Sequence, residues 1–107
     1  MIASGRYVTD GGKAHLANAV HKSIFGCPMF GTFNVKTQTN IEKFSPSIAL
    51  PRTPYRYYHI RINGQHDAWA WRRDGSKLPG TLWELVSKEL LPDSLKHKTI
   101  TMEILGA

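Results

Sequence analysis

Alternation of apolar and polar positions is clearest in two adjoining runs. Tyr55 to Ile62 and Gln65 to Arg72 are rich in aromatic and β-branched residues, and Asn63-Gly64 stands between them. Asn and Gly both accept positive φ, so the runs predict a β-hairpin. Within it Trp69 and Trp71 share one face. Ala68 and Ala70 share the other, where a second layer can approach closely. Asp74-Gly75 marks a further turn. Thr99 to Leu105 also alternates, with Ile100, Met102 and Ile104 opposite Thr99, Thr101 and Glu103. Phe33 to Thr37 predicts another strand. Helical spacing appears twice. Leu16, Ala17, Val20 and Ile24 fall on one face, so residues 13–25 predict an amphipathic helix that ends at Gly26 and is blocked by Pro28. Thr81 and Glu84 have capping-box spacing. Leu82, Leu85, Val86, Glu89 and Leu90 continue the pattern to Pro92, which predicts a second helix over 81–91. Gly5 to Val8 is a short apolar–polar segment before the flexible Asp10-Gly11-Gly12. Residues 38–54 are rich in Thr, Ser, Asn and Pro and predict a long excursion of the kind that often carries function. Strands before, between and after two helices predict a mainly β chain with two helices, folded as a small barrel or compact sheet.

At 107 residues the chain predicts one domain, 1–107, with a modest core, and 41% hydrophobic with 21% charged residues is an ordinary globular composition. No apolar run approaches the ~20 residues of a membrane span. Met1 to Arg6 lacks the long apolar segment of a secretion signal. Cys27 is the single cysteine, which excludes an intramolecular disulfide and a cysteine-type zinc cluster and suits a reducing cytoplasm. The five histidines show no metal-ligand spacing. A net charge of +6 favours an anionic partner such as a nucleotide, a nucleic acid or an acidic surface.

Two stretches carry candidate chemistry. In Cys27-Pro28-Met29-Phe30-Gly31-Thr32-Phe33-Asn34-Val35 a hydroxyl (Thr32) and an amide (Asn34) stand two residues apart. On an extended backbone they leave the same face. Both are hard oxygen donors, suited to a Mg2+ ion that draws its other ligands from phosphates and water. The same residues also serve to close a turn by bonding the backbone. In residues 52–61 and beyond, Arg52, Tyr55, Arg56, Tyr57, Tyr58, His59 and Arg61 precede Arg72 and Arg73. Basic residues interleaved with aromatics suit phosphate contact and base stacking by a non-catalytic nucleic-acid or protein-binding barrel. Alternation splits this patch, with Tyr55, Tyr57, His59 and Arg61 on one face and Arg56, Tyr58, Ile60 and Ile62 on the other.

The chain resembles the archaeal CTP-dependent riboflavin kinases, a family of small cradle-loop β-barrels. Gly5-Arg6-Tyr7 looks like the end of that family's glycine-rich nucleotide loop. Phe25-Gly26-Cys27-Pro28-Met29-Phe30-Gly31-Thr32-Phe33-Asn34 is similar to its Leu-Gly, proline and Gly-Thr-Leu-Asn run. Leu82-Trp83-Glu84-Leu85-Val86 looks like its Ile-Glu-Ile-Ile segment. The resemblance implies a cradle-loop barrel that transfers phosphoryl from CTP to riboflavin, giving FMN and CDP. It implies that Thr32 and Asn34 ligate Mg2+ and that Gly5, Arg6 and Tyr7 belong to the nucleotide loop. Glu84 and Ser76 would contact the flavin, with Glu84 orienting or deprotonating its ribityl hydroxyl. Glu89, Leu90, Leu91 and Pro92 would face the cytosine through backbone groups. The chain departs from the pattern in having only Met1 to Ser4 before Gly5, Phe33 in place of a Leu, Ser76 in place of a Thr, and Ser87-Lys88 where the family carries a proline.

Overall fold

The computed structural model describes residues 2–9, 15–16, 19–49, 54–95 and 97–105; the side chains of 2, 7–9, 15–16, 19–20 and 32 lie outside that description. The elements run β1 (Ile2–Thr9), β2 (His15–Leu16), α1 (Ala19–Phe25), β3 (Phe30–Thr37), β4 (Tyr55–Ile62), β5 (His66–Arg73), β6 (Leu82–Ser87) and β7 (Thr99–Ile104). Short 3-10 turns cover Ile41–Lys43 and Asp93–Leu95.

The sheet order is β1-β7-β4-β5-β6-β3-β2, and β1 also pairs with β3. That extra pairing closes six antiparallel strands into a barrel and leaves them no free edge. β1 makes the closure by serving both neighbours. Ile2 to Arg6 pairs with β7 and Gly5 to Thr9 with β3. The expected hairpin forms β4 and β5, with Tyr55 opposite Arg73 through Ile62 opposite His66. Its turn residues Asn63 and Gly64 have φ of 51° and 70°, and Gln65 N–H donates to the Ile62 carbonyl.

The barrel interior follows the alternation. Ala3, Phe33, Val35, Ile60, Ile62, Ala68, Ala70, Trp83, Leu85, Ile100 and Met102 are buried in one cluster. Ala68 and Ala70 therefore face inward, and Trp69 and Trp71 face outward rather than into the core. Ile41 and Phe44 close one end of the barrel. Trp83 Nε1 pins that loop by donating to the Thr39 carbonyl at 3.0 Å. Burial of this apolar area, at about 25 cal/mol per Å², is the main stabilising term.

The second helix does not form. Residues 82–87 are strand β6, paired with both β3 and β5, and Thr81 accepts from Thr37 N–H at the start of the β3–β6 ladder. The strand is covered on both faces. Trp83 and Leu85 lie in the barrel core, and Val86, on the outer face, is 1% exposed. A doubly covered strand loses its alternation and reads like one side of a helix. The first helix is shorter than 13–25. His15–Leu16 instead pairs with Gly31 and Phe30 of β3. Residues 13, 14, 17 and 18 and the Asp10-Gly11-Gly12 segment lie outside the described residues. The helix ends as its sequence indicates, with Gly26 at φ 73° and its N–H donating to the Lys22 carbonyl. Among the described residues no helix is long and apolar enough to cross a membrane.

Candidate functional site

One row of directly opposed residues crosses the outer face of the barrel. Asn34 of β3 stands opposite Glu84 of β6, Glu84 opposite Trp71 of β5, and Trp71 opposite Tyr57 of β4. All four are on the outer face because their strand neighbours, Phe33, Val35, Trp83, Leu85, Ala70 and Tyr58, fill the core. Helix α1 covers the Tyr57 end of the row. His21 Nδ1 and Tyr57 Oη are hydrogen-bonded at 2.8 Å, and the His21 ring meets the Trp71 indole at 4.5 Å edge-on. Phe25 packs on Tyr57 and Trp69, each with ring centroids 5.0 Å apart.

Burial sets the chemistry of this row. His21 is 2% exposed, and desolvation lowers its pKa. Tyr57 is fully buried; desolvation, helped by Tyr55, pushes its phenol up to about 12. Glu84 is half-buried, and desolvation raises its carboxyl above the usual range, partly offset by the positive charge of Arg72. A carboxylate made more basic by its surroundings accepts a proton more readily than an exposed one.

The sequence-derived site residues are brought together only in part. Asn34 and Glu84, fifty positions apart in the chain, are cross-strand partners. Glu84 lies inside strand β6 and takes no part in a helix cap. Thr32 shares β3 with Asn34, but the β3–β6 register shifts between Phe30 and Phe33. Such a shift interrupts the simple two-residue alternation there. The expected ligand role of the Thr32 hydroxyl concerns a side chain outside the described ones, as does that of the Tyr7 ring. Gly5, Arg6 and Tyr7 are not in a loop; they sit in the middle of β1, which must pair on both sides to close the barrel. Ser76 lies in the turn between β5 and β6, where its hydroxyl accepts from Leu78 N–H at 3.2 Å.

Glu89, Leu90 and Leu91 border a cavity of about 390 Å³ whose other walls include His59, Asp67 and Trp69. Pro92 stands next to this wall, and its carbonyl accepts from Leu95 N–H. Ser87 Oγ donates to the Glu89 carbonyl and fixes the turn that leads into it. Lys88 also lines the cavity, four residues beyond Glu84. At ~3.3 Å per residue the two are about 13 Å apart along an extended chain.

The basic and aromatic stretch is not one open surface. Tyr57 and Tyr58 are 0% and 1% exposed. Arg56 pairs with Asp74 at 2.6 Å and Glu42 at 3.6 Å, Arg61 with Asp67 at 3.5 Å, and Arg72 with Glu42 at 3.2 Å. Arg52 lies outside the described residues. Buried rings and paired guanidinium groups do not make a stacking platform for bases.

Sequence reasoning assigned nothing to His21 and set Trp69 and Trp71 on one face of the hairpin without fixing which face is the core. The period of the hairpin did put Trp69 and Trp71 on one face, opposite the small alanines, and that is the signal of their outward position. His21 carried none, because the rings it meets, Tyr55, Tyr57 and Trp71, stand 34 to 50 positions away in the chain.

The comparisons add no identity to this geometry: no family model, no curated protein and no solved structure matches the chain.

Proposed function

We propose that the chain is a phosphotransferase that moves the terminal phosphoryl group of a nucleoside triphosphate, CTP, to the primary hydroxyl of riboflavin, giving FMN and CDP. The observation that carries this reading is the register that sets Asn34 directly opposite Glu84 on the outer face, beside Trp71. These are residues to which the family resemblance gives the metal and the flavin hydroxyl. Mg2+ takes few protein ligands when phosphates and water supply the rest, and the oxygen donors of Asn34 and Thr32 fit that demand. When bound, the ion would neutralise charge on the phosphates.

The protein's own residues supply positioning and one proton acceptor. The flavin hydroxyl lies against the Glu84 carboxylate. As its oxygen forms the bond to the terminal phosphorus, the bond to the bridging oxygen breaks and the hydroxyl proton passes to Glu84. Half-burial of Glu84 favours the protonated product of that transfer. The Trp71 indole beside Glu84 offers an apolar, flat contact for the isoalloxazine ring. The base of the donor enters the cavity bordered by Glu89, Leu90 and Leu91, and its phosphates run toward Asn34.

Chromatographic detection of FMN after incubation of the protein with Mg2+, CTP and riboflavin tests the reading. Glu84→Gln keeps size and strand pairing but removes the proton acceptor, so FMN formation falls by at least ~10²-fold with little change in melting temperature. No FMN from the parent protein, under conditions where it is folded, sinks the proposal.

A further inference from the structure

Among its described side chains helix α1 buries one fully, and that one is a histidine. His21 is buried, Ile24 and Phe25 are half-buried, and Lys22 and Ser23 face solvent. Seven residues make about two turns, too few to hold a helix without tertiary contacts. Those contacts come from the outer face of the hairpin. The His21 ring meets Trp71 at 4.5 Å, Tyr57 at 5.7 Å and Tyr55 at 6.1 Å, each edge-on. Phe25 adds its contacts with Tyr57 and Trp69. The far end of the helix is open. Gly26 is exposed at φ 73°, and a Cβ on it would meet nothing within 4 Å. The side that carries His21 and Phe25 therefore fastens α1 to the barrel.

The fastening suits a neutral ring. A neutral imidazole has one acceptor and one donor, whereas an imidazolium has two donors and no acceptor. The Tyr57 phenol, its pKa pushed up to about 12, keeps its proton at ordinary pH and can donate to Nδ1 across 2.8 Å. A proton added at Nδ1 sets two hydrogens against each other. It also places a full charge among rings that exclude water. The titratable and charged groups around His21 are Tyr55 and Tyr57 on β4, Arg73 opposite Tyr55 on β5, Glu84 opposite Trp71 on β6, and Lys22 on α1 itself. Arg73 and Lys22 oppose a positive ring and Glu84 favours one. Desolvation decides the direction, and it disfavours the charged form.

We infer that α1 is an acid-released cover: neutral His21 holds it across Tyr55, Tyr57 and Trp71, and protonation of the ring lifts it and bares that aromatic face. In the lifted form the ring is in water and titrates near its ordinary value of ~6.5. Each pH unit below that value shifts the balance toward the open form by up to about tenfold, until the closed form also takes up the proton. Opening frees the Tyr57 end of the row that carries Glu84.

Amide hydrogen exchange of the full chain at pH 7.5 and pH 5.5, corrected for the intrinsic effect of pH on exchange, tests this. From the higher to the lower pH, opening at the amides of residues 23–26 rises by about 3- to 10-fold while the β4–β5 ladder keeps its protection. An anilinonaphthalene dye that reports bared apolar surface binds more strongly over the same range. His21→Gln keeps a polar partner for Tyr57 but does not titrate, so α1 opens equally at both pH values and dye binding stays flat. His59→Gln removes the imidazole stacked on Trp69 beside Phe25 and keeps the parent's response. Should His21→Gln fail to fold, an NMR titration of the His21 ring in the parent decides. A midpoint below the ordinary histidine value supports the cover, and one at or above it overturns it. Equal acceleration of α1 and the β4–β5 ladder, a parent whose α1 exchange ignores pH, a His21→Gln response like the parent's, or loss of the response in His59→Gln also overturns it.

Discussion

Gly5→Ala tests whether the barrel is closed at the β1–β3 seam. Gly5 is paired with Thr37 on one side and Ile100 on the other. A methyl group on it comes 2.6 Å from Val35 Cγ1, 2.7 Å from the Lys36 carbonyl oxygen and 2.7 Å from Thr37 Cγ2. None of the three can yield easily. The Lys36 oxygen is backbone in a paired strand, and Val35 and Thr37 are β-branched residues stiff at χ1. Val35 is also fully buried in the core. Moving β1 away from β3 strains its pairing with β7. Overpacking of this kind costs roughly 1–3 kcal/mol. The loss of glycine's freedom in the unfolded chain offsets about 0.4–1 kcal/mol of that. The net is a destabilisation of about 1–2 kcal/mol. For a domain of this size it lowers the melting temperature by roughly 5–15 °C. Urea titration and thermal melting followed by far-UV circular dichroism measure it. A Gly5→Ala protein as stable as the parent, or more so, refutes the closed seam. Were Gly5 instead part of a free nucleotide loop, the added methyl would meet no neighbouring strand and stability would hold.

Two further outcomes concern stability. Desolvation holds the pKa of His21 below its unfolded value, so the folded state keeps the ring neutral while the unfolded chain takes up a proton. Its contribution is therefore complete above pH ~6.5 and is lost as pH falls below it, by at most about 1.4 kcal/mol per pH unit. Urea unfolding at pH 8 and pH 5.5 should show a smaller decline for His21→Gln than for the parent, and parallel declines would contradict it. Glu42→Gln removes the carboxylate that contacts both Arg56 and Arg72, which are opposed on β4 and β5. Because these side chains are partly exposed the cost is about 0.5–1 kcal/mol, and it shrinks in 1 M NaCl as the arginine repulsion is screened; a cost independent of salt would show that charge is not its cause.

Much of the architecture was legible in local residues. Asn63-Gly64 between two aromatic runs specified the hairpin, because few residue pairs accept positive φ twice in succession. The alternation of Ile100, Met102 and Ile104 specified β7, because a strand with one face in water must alternate. Gly26 specified the end of α1. Glu84 shows where local reading stops. Its capping-box spacing to Thr81 is real, and the apolar residues after it suit a helix. Two neighbouring strands and the outer layer over Val86 supply partners that make residues 82–87 a strand. The candidate site has the same origin. Asn34 and Glu84 could be named from their motifs, but their opposition depends on the β3–β6 register. The contacts of His21 depend on where α1 lies across the hairpin. The stack of His59 on Trp69 depends on the β4–β5 register. Turn chemistry and alternation are carried by residues one to four positions apart, so the chain states them directly. Which faces are covered, and which side chains stand opposite one another, is decided only when the barrel closes, because those partners come from distant parts of the chain.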